Sequence, residues 1–228
     1  MKILFAVSSS SLGFWLAEFT HPFWHFSERN HEIEVASPKG GKVTFDALSD
    51  PASADSWEKG DLVSKGFLTD PALVSLFENT LALSAVDVSA YDAIHVVGGG
   101  GAAIDLYPDA DVKRVLSEFV AAGKIVGTIC HGSIALANNP EQFAGRAATG
   151  FSRAEDAEAE KIFGKDFIPN FPEPAMEAAG IKFMFGDNWA PKVVIDGRLI
   201  TGQNQQSASE YAIAFNHLLA GTSPVHNA

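Results

Sequence analysis

The chain lacks the features of a disulfide-rich, membrane-bound or nucleic-acid-binding protein. It has a single cysteine in 228 residues, so an internal disulfide is impossible and we expect a reducing, cytoplasmic location. No apolar run is long enough to predict a membrane span or a signal peptide with its cleavage site. Lys and Arg number 16 against 28 Asp and Glu. This net negative charge argues against nucleic acid and anionic membranes as partners.

Residues that bind metals or nucleotides are scattered. His21 and His25 have the i, i+4 spacing of a ligand pair, but Pro22 should kink or end the helix between them, and no third ligand stands at a clear spacing. The glycine run 98–101 lacks the Lys-Ser/Thr of a phosphate-binding loop, and no acidic ribose partner follows it. We therefore predict no metal and no other cofactor. The remaining histidines lie far apart in the sequence: His31, His95, His131, His217 and His226.

The composition is that of a globular protein, with 46% hydrophobic and 19% charged residues. Strand-like and helix-like segments alternate, which predicts an α/β fold with a mostly parallel sheet covered on both faces. We expect a single domain over residues 1–228, with an irregular segment at about 38–66 on its rim. The predicted strands are 3–7, 32–36, 91–97, 125–129 and a hairpin of 193–195 with 199–201. The predicted helices are 14–29, 70–83, 109–122, a helix starting at 132–137, 153–163 and 207–219.

Cys130 is the most informative residue of the chain. Apolar, β-branched residues precede it and small residues follow it, so the cysteine falls where a buried strand turns into a helix. Gly127 and Gly132 suit such a crowded turn. Backbone N–H groups and the helix dipole at a helix N-terminus favour a thiolate, and can lower a thiol pKa of about 8.5 to roughly 3.5–7.5. We therefore predict a nucleophile in preference to a small buried core residue.

Three groups are candidates to act with the sulfur. The glycines at 98–101 follow a predicted strand, and their backbone N–H groups can face Cys130 if the two strands are neighbours. Glu18 has apolar neighbours on nearly every side, so it is either a buried, partly protonated acid–base group or a solvated charge on a helix. His131 follows the cysteine directly and is either a base or a purely structural residue.

The charged segment 153–163 offers a carboxylate to orient His131. Glu155 and Asp156 are both candidates for this contact. A plain solvated helix is an equally good interpretation, because Glu158 and Glu160 follow them in the same segment.

Three motifs together carry a family resemblance. They are the Ile-Cys-His-Gly elbow at Cys130, the glycine-ended strand followed by Asp-Leu-Tyr-Pro at 105–108, and Glu18 within Ala-Glu-Phe-Thr-His-Pro. They resemble the DJ-1/PfpI superfamily, which is related to class I glutamine amidotransferase domains. Segments 150–152 and 196–204 are similar to its glyoxalase III branch, whose members are also called heat-shock chaperones. The resemblance covers nearly the whole chain and implies a flavodoxin-like three-layer sandwich, usually a homodimer.

The resemblance also implies a set of site residues and a reaction. Backbone N–H groups at Gly99 and Gly100 and near His131 would hold the oxyanion. A carboxylate would complete a triad with Cys130 and His131, and Glu155 is the second candidate for it after Asp156. The implied reaction converts methylglyoxal or a related 2-oxoaldehyde to a 2-hydroxy acid without glutathione, through a hemithioacetal on the cysteine. The implied catalytic side chains are the nucleophile Cys130, the proton carrier His131, the carboxylate Glu18 beside the sulfur and the orienting carboxylate Asp156.

Two departures from the branch concern the substrate. Gly100 and Ile104 stand where the branch often has a histidine and an aromatic residue, so we expect a roomier and less polar pocket. This favours, as an alternative, a hydrolase or hydratase that acts on another small electrophile. A further alternative is a non-enzymatic redox sensor or stress chaperone, because an accessible thiolate oxidises readily.

Overall fold

The centre of the sheet consists of strands with almost continuous apolar sequences. In the computed structural model, which describes residues 1–222, these are β1 (Lys2–Ala6), β4 (Ala93–Val96) and β5 (Ile125–Ile129). All residues of β4 and β5 are buried, as expected for strands covered on both faces. The other strands are β2 (Glu32–Ser37), β3 (Leu81–Ala82), β6 (Ala147–Ala148), β7 (Lys182–Phe183), β8 (Val193–Asp196) and β9 (Leu199–Gly202).

The seven-stranded sheet has the order β3-β2-β1-β4-β5-β9-β8. All neighbours run parallel except β8 and β9, which form the hairpin around Asp196 and Gly197. Strands β6 and β7 pair separately. The predicted α/β fold with a mostly parallel sheet is confirmed.

Helices cover both faces of the sheet. The α-helices are α1 (Leu16–Ser27), α2 (Leu62–Leu68), α3 (Pro71–Val74), α4 (Ala102–Asp105), α5 (Ala110–Ala121), α6 (Pro140–Phe143), α7 (Arg153–Phe163), α8 (Pro172–Ala178) and α9 (Ala208–Leu219). The 3-10 helices are Ala47–Ser49, Ser75–Phe77, Leu83–Ala85, Val88–Ala90, Cys130–Asn138 and Gln205–Ser207. No helix within residues 1–222 is long and apolar enough to cross a membrane.

Alternate residues of β1 belong to two separate hydrophobic cores. Ile3 and Phe5 pack in the core that contains the buried faces of α1 and α9. Leu4 and Ala6 pack in the other, which contains the buried face of α5. Because successive side chains of a strand point to opposite faces, the sheet lies between two helical layers. This is the three-layer sandwich that the resemblance implies.

The predicted helix 70–83 is much shorter than expected. Asp70 caps α3 through the Ala72 N–H, as predicted, but the helical segment ends with the 3-10 turn at Phe77. Thr80 then exchanges two backbone hydrogen bonds with Gly41, and β3 pairs with the end of β2. Pairing with a distant part of the chain therefore overrides the local helical pattern.

The irregular segment 38–66 is hydrogen-bonded to Phe14, just before the start of α1. The Phe14 N–H donates to the Thr44 carbonyl oxygen, and the Asp46 N–H donates to the Phe14 carbonyl oxygen. Its last residues belong to α2, which Asp61 caps by accepting from two backbone N–H groups. The segment therefore lies beside the first turn of α1, where Glu18 is located.

Candidate active site

The carboxyl ends of β4 and β5 meet at the candidate active site. The two strands are neighbours, with Val96 paired to Thr128. Gly98 follows β4 and Cys130 follows β5, so their loops face each other at the sheet edge where sites gather in open α/β folds. A Cβ atom on Gly98 would lie 2.8 Å from the Cβ atom of Cys130. The loops are therefore in close contact, and no side chain fits at Gly98.

The backbone turns sharply at Cys130. Ile129 is still extended, whereas Cys130 has φ of +56°, a left-handed conformation that few non-glycine residues adopt. The turn places the sulfur at the start of the 3-10 helix Cys130–Asn138, and the predicted strand-to-helix turn is confirmed. Gly132 packs against β4, since a Cβ atom there would lie 2.7 Å from the Val96 carbonyl oxygen.

Gly127 has a different role from the one we predicted. It lies inside β5 and not in the turn. A Cβ atom at this position would collide with the side chains of Tyr211 and Phe215, which are both fully buried. Gly127 therefore makes room for α9 on the sheet, and its assignment to the turn is wrong.

Glu18 is fully buried in the first turn of α1. Its Oε2 atom accepts a hydrogen bond of 2.9 Å from the Gly98 N–H, while Oε1 has no hydrogen-bond partner within residues 1–222. Burial raises the pKa of Glu18 to about 8, and the nearby Cys130 side chain and the Gly98 N–H oppose this only in part. Of the two interpretations of Glu18, the buried and protonated carboxyl is the one the structure supports.

The sulfur of Cys130 is buried beside Glu18, and the cysteine is 3% exposed. Burial and the adjacent Glu18 raise the pKa of the thiol well above its usual value, whereas the N–H groups of His131 and Gly99 lower it. The predicted net lowering is therefore wrong, because the helix terminus does not outweigh burial and a neighbouring carboxylate. Since the repulsion vanishes when Glu18 holds a proton, a protonated Glu18 opposes the thiolate less than an ionised one, and burial remains the main cause that raises the thiol pKa.

His95 supports the backbone of Glu18 from the sheet. Pro22, four residues further on, has no N–H for the Glu18 carbonyl oxygen, yet α1 runs unbroken through it. Of the two effects predicted for Pro22, a kink or an end of the helix, the end is therefore wrong. His95 Nε2 lies 2.9 Å from the Glu18 carbonyl oxygen and replaces the missing donor. The proton is thus assigned to Nε2, and Nδ1 accepts from the Tyr211 hydroxyl at 2.9 Å. Burial lowers the pKa of His95 to about 4, so the ring is neutral.

His131 connects the sulfur to a carboxylate. Its Nδ1 atom lies 3.5 Å from Cys130 Sγ, and its Nε2 atom lies 2.9 Å from Asp156 Oδ1. The imidazole also stacks on Phe151, with ring centroids 4.3 Å apart. As a carboxylate, Asp156 can only accept, which assigns the ring proton to Nε2 and leaves Nδ1 as an acceptor toward the sulfur.

Glu155 has a structural role in place of the contact with His131. It forms a capping box with Ser152 at the start of α7. Its side chain also accepts hydrogen bonds from Gln203, Asn204 and the Trp189 N–H. These bonds hold the loops after β7 and β9 against α7, so Asp156 and not Glu155 reaches His131.

The glycine run contributes one backbone donor near the sulfur. Gly99 has φ of +96°, and a Cβ atom there would lie 2.5 Å from the Trp15 nitrogen. Its N–H group and that of His131 both interact with the sulfur. Gly100 lines the pocket, and its role as an oxyanion donor stays a prediction.

The contact between His131 and Asp156 leads to a first prediction about activity. Asp156→Ala is expected to lower kcat by about 10- to 100-fold, because the imidazole loses its orientation while the nucleophile stays in place. Steady-state kinetics measure this loss, and Glu160→Ala on the same helix is the control, with an expected change of less than about twofold. A loss as large as that of Cys130→Ala would mean that Asp156 does more than orient the ring.

A small pocket of about 80 Å³ opens above the sulfur. Cys130, His131, Gly99 and Gly100 form its floor. Ile104 is 40% exposed and is not part of the lining, so of the two departures in sequence only Gly100 bears directly on the pocket. The other lining residues are Leu12, Trp15, Asp46, Trp57, Phe151, Ala159, Phe163, Phe167, Trp189 and Gln205.

Sequence analysis missed His95 and most of the aromatic lining. His95 is a single polar residue within an apolar strand, and this pattern predicts a buried side chain with a hydrogen-bond partner. The Ser152–Glu155 spacing was also a recognisable capping box. The aromatic residues give no such signal, because they come from four distant segments of the chain.

No group of three or more His, Cys, Asp or Glu side chains in the described part of the chain could hold a metal ion. His21 instead contacts Asp61 at 3.1 Å and Ser209 at 2.9 Å. His226 lies outside the described residues.

The chain belongs to the DJ-1/PfpI family, whose model matches residues 1–217. It is 28% identical to Glyoxalase 3 of Candida albicans, with 93% of this chain and 95% of that protein covered. It is 27% identical to glutathione-independent glyoxalase HSP31 of Saccharomyces cerevisiae, over 93% and 95% of the two chains.

Solved structures agree with this assignment. The Rapid Encystment Protein 24 kDa of Francisella tularensis superposes with a TM-score of 0.83 at 31% identity, over 96% of this chain and 98% of that one. Glyoxalase III of Candida albicans superposes with a TM-score of 0.77 at 26% identity, over 95% and 96% of the chains.

Proposed function

We propose that this protein is a glutathione-independent glyoxalase that converts methylglyoxal or a related 2-oxoaldehyde into a 2-hydroxy acid. The main support is that a buried, protonated Glu18 and the His131–Asp156 pair both adjoin the Cys130 sulfur, while Cys130 and His131 line one small pocket. The names of the relatives from Candida albicans and Saccharomyces cerevisiae support the same reaction.

The positions of the protons follow from the hydrogen bonds. Oε2 of Glu18 accepts from the Gly98 N–H, so the carboxyl proton belongs on the unpartnered Oε1. A neutral carboxyl does not repel a thiolate and can donate to it. The thiol proton passes to Nδ1 of His131, which is 3.5 Å from the sulfur and free to accept.

The reaction begins when the thiolate attacks the aldehyde carbon. A C–S bond forms, the aldehyde oxygen takes up a proton, and the product is a hemithioacetal. The N–H groups of Gly99 and His131, which interact with the sulfur, would stabilise negative charge on that oxygen. His131, which has just received the thiol proton and adjoins the sulfur, would donate it to the forming alcohol.

An internal transfer of two electrons follows. A base removes the hydrogen on the former aldehyde carbon as a proton, and a proton is returned to the neighbouring carbon through an enediol. The first carbon becomes a thioester and the second an alcohol, so no external oxidant or reductant is needed. Water then attacks the thioester, the C–S bond breaks, and the sulfur regains its proton. Glu18 and His131, which both adjoin the sulfur, would move these protons.

We also propose that the protein is a homodimer and that it is located in the cytoplasm. The resemblance implies a homodimer, which light scattering after gel filtration would detect as twice the mass of the 24.2 kDa chain. A single-chain mass would contradict it. The cytoplasmic location stays a prediction from the single cysteine.

The proposed function is tested by measuring lactate formed from methylglyoxal in the absence of glutathione. Wild type is expected to form lactate from methylglyoxal. Cys130→Ser is expected to have a kcat/KM at least about 1,000-fold lower, because it lacks the nucleophile. Thermal unfolding of both proteins checks that the variant folds. Equal activity in the two proteins, or none in wild type, contradicts the proposal. In the second case, a screen of other small electrophiles and peroxide labelling of Cys130 separate the hydrolase or hydratase alternative from the redox sensor.

A further inference from the structure

Aromatic rings form most of the pocket wall above Cys130. They come from the loop before α1, the segment 38–66, the α7 region and the loop before β8. Apart from the site residues on its floor, the polar side chains that line the pocket are Asp46 and Gln205. No Lys or Arg lines this pocket in the described chain. The six rings are those of Trp15, Trp57, Phe151, Phe163, Phe167 and Trp189.

The rings form a continuous surface from the interior to the mouth. Trp15 is nearly buried and packs against Trp57 at a centroid distance of 5.9 Å. Trp57 contacts Phe163 at 5.8 Å, and Phe163 contacts Phe167 at 5.3 Å. Trp57 and Phe163 are 41% and 44% exposed, so apolar ring surface faces water at the mouth. Covering such surface with an apolar group is favourable.

The indole N–H groups of Trp15 and Trp189 already have partners. Trp15 Nε1 donates to Glu58 at 3.1 Å, and Trp189 Nε1 donates to Glu158 at 2.6 Å. These bonds satisfy the polar edges of the rings within the protein. The faces of these two rings are therefore what remains to bind a ligand, and they suit flat or apolar groups.

The charges at the pocket disfavour an anionic ligand. A carboxylate substrate would meet Asp46 and find no cation in the lining. The methyl group of methylglyoxal, in turn, is too small to contact more than a small part of the aromatic wall. The wall therefore fits a larger, uncharged substituent next to the reacting aldehyde.

We propose that the preferred substrate is an uncharged 2-oxoaldehyde with an aryl or bulky alkyl group, bound with its dicarbonyl at Cys130 and its substituent against Trp57 and Phe163. This inference rests on the proposed function for the reaction, and on the aromatic wall for the substrate class. The product of an aryl substrate is the corresponding 2-hydroxy acid, formed by the same steps with one water consumed.

The test compares phenylglyoxal with methylglyoxal. Wild type is expected to have a kcat/KM for phenylglyoxal at least about tenfold higher. Trp57→Ala is expected to bring the ratio of the two values close to one, and Trp57→Phe to retain most of it. Ile162→Ala is the control, because Ile162 is exposed beside Phe163 on α7 but lies outside this pocket. A ratio of one or less in wild type, or an unchanged ratio in Trp57→Ala, overturns the inference.

A binding measurement separates this inference from the proposed function. If neither aldehyde gives a Cys130-dependent acid, the proposed function fails, and saturation-transfer NMR then tests the wall alone. Cys130→Ser protein is expected to bind acetophenone in preference to acetone and benzoate, and to lose this preference on Trp57→Ala. Equal binding of the three compounds would show that the wall does not select an aryl group.

Discussion

Glu18→Gln is expected to change both the rate of the reaction and the pH dependence of stability. In the native protein the pKa of Glu18 is raised from its ordinary 4.5 to about 8. Between pH 4.5 and about pH 8, Glu18 of the folded protein holds a proton that the same residue of the unfolded chain has released. The free energy of unfolding therefore falls as pH rises through this window, by up to about 5 kcal/mol from this group. Glutamine cannot ionise, so the variant loses this contribution.

Urea unfolding at pH 5 and pH 8 measures this effect as a difference between variant and wild type. The difference is needed because other groups titrate as well. Burial lowers the pKa of His95 to about 4, so at pH 5 the unfolded chain binds a proton that the folded ring does not, which lowers stability there. The variant is expected to gain several kcal/mol relative to wild type on going from pH 5 to pH 8. Glu177→Gln, at an exposed position, is expected to show no such gain.

The activity of Glu18→Gln is expected to fall by about 100- to 1,000-fold, because an amide can donate to the sulfur but cannot exchange a proton with the substrate. The fold should persist, since the amide oxygen can still accept from the Gly98 N–H. A stability difference that does not change with pH would mean that Glu18 is ionised at neutral pH. The proposed proton on Oε1 would then be wrong.

Gly127→Ala is expected to destabilise the protein by about 3 kcal/mol or more. The added methyl group would collide with Tyr211 and Phe215, which are both fully buried against β5. Moving Tyr211 would also break its hydrogen bond to His95, and an unpartnered buried polar group adds to the cost. Denaturant unfolding of the variant measures the loss.

Gly66→Ala is the matched control for this prediction. Gly66 lies inside α2, a Cβ atom there would meet nothing within 4 Å, and its φ is not positive. Alanine is favoured over glycine in a helix interior, so this variant is expected to gain about 0.5–1 kcal/mol. Similar losses in both variants would mean that the effect at position 127 does not come from the collision with α9.

The sequence predicted the central elements well, because their signals are local. The strand at 125–129 and the helix at 153–163 have the predicted bounds. Their apolar run and capping residues define them without help from the rest of the chain. Strand β3 was missed for the opposite reason: two residues carry little local information, and pairing with β2 holds them extended.

The candidate site was predicted in its residues but not in its electrostatics. The elbow at Cys130 and the glycines after β4 were recognisable from residue types and their order. The direction of the thiol pKa was wrong, because it depends on burial and on the distance to Glu18. Neither quantity can be inferred from the residues adjacent to Cys130 in the sequence. The choice between Glu155 and Asp156 was likewise open until the direction of each side chain on α7 was known.

The sequence by itself determined the alternation of strands and helices, the nucleophile at the end of a strand and the family resemblance, since these depend on residue order over short distances. Only the tertiary structure decided that Glu18 is buried beside the sulfur, that His95 replaces the donor missing at Pro22, and that rings from four segments form one wall. These features are contacts between residues many positions apart. Burial and close approach, which set their pKa values and their chemistry, exist only once the two cores have packed against the sheet.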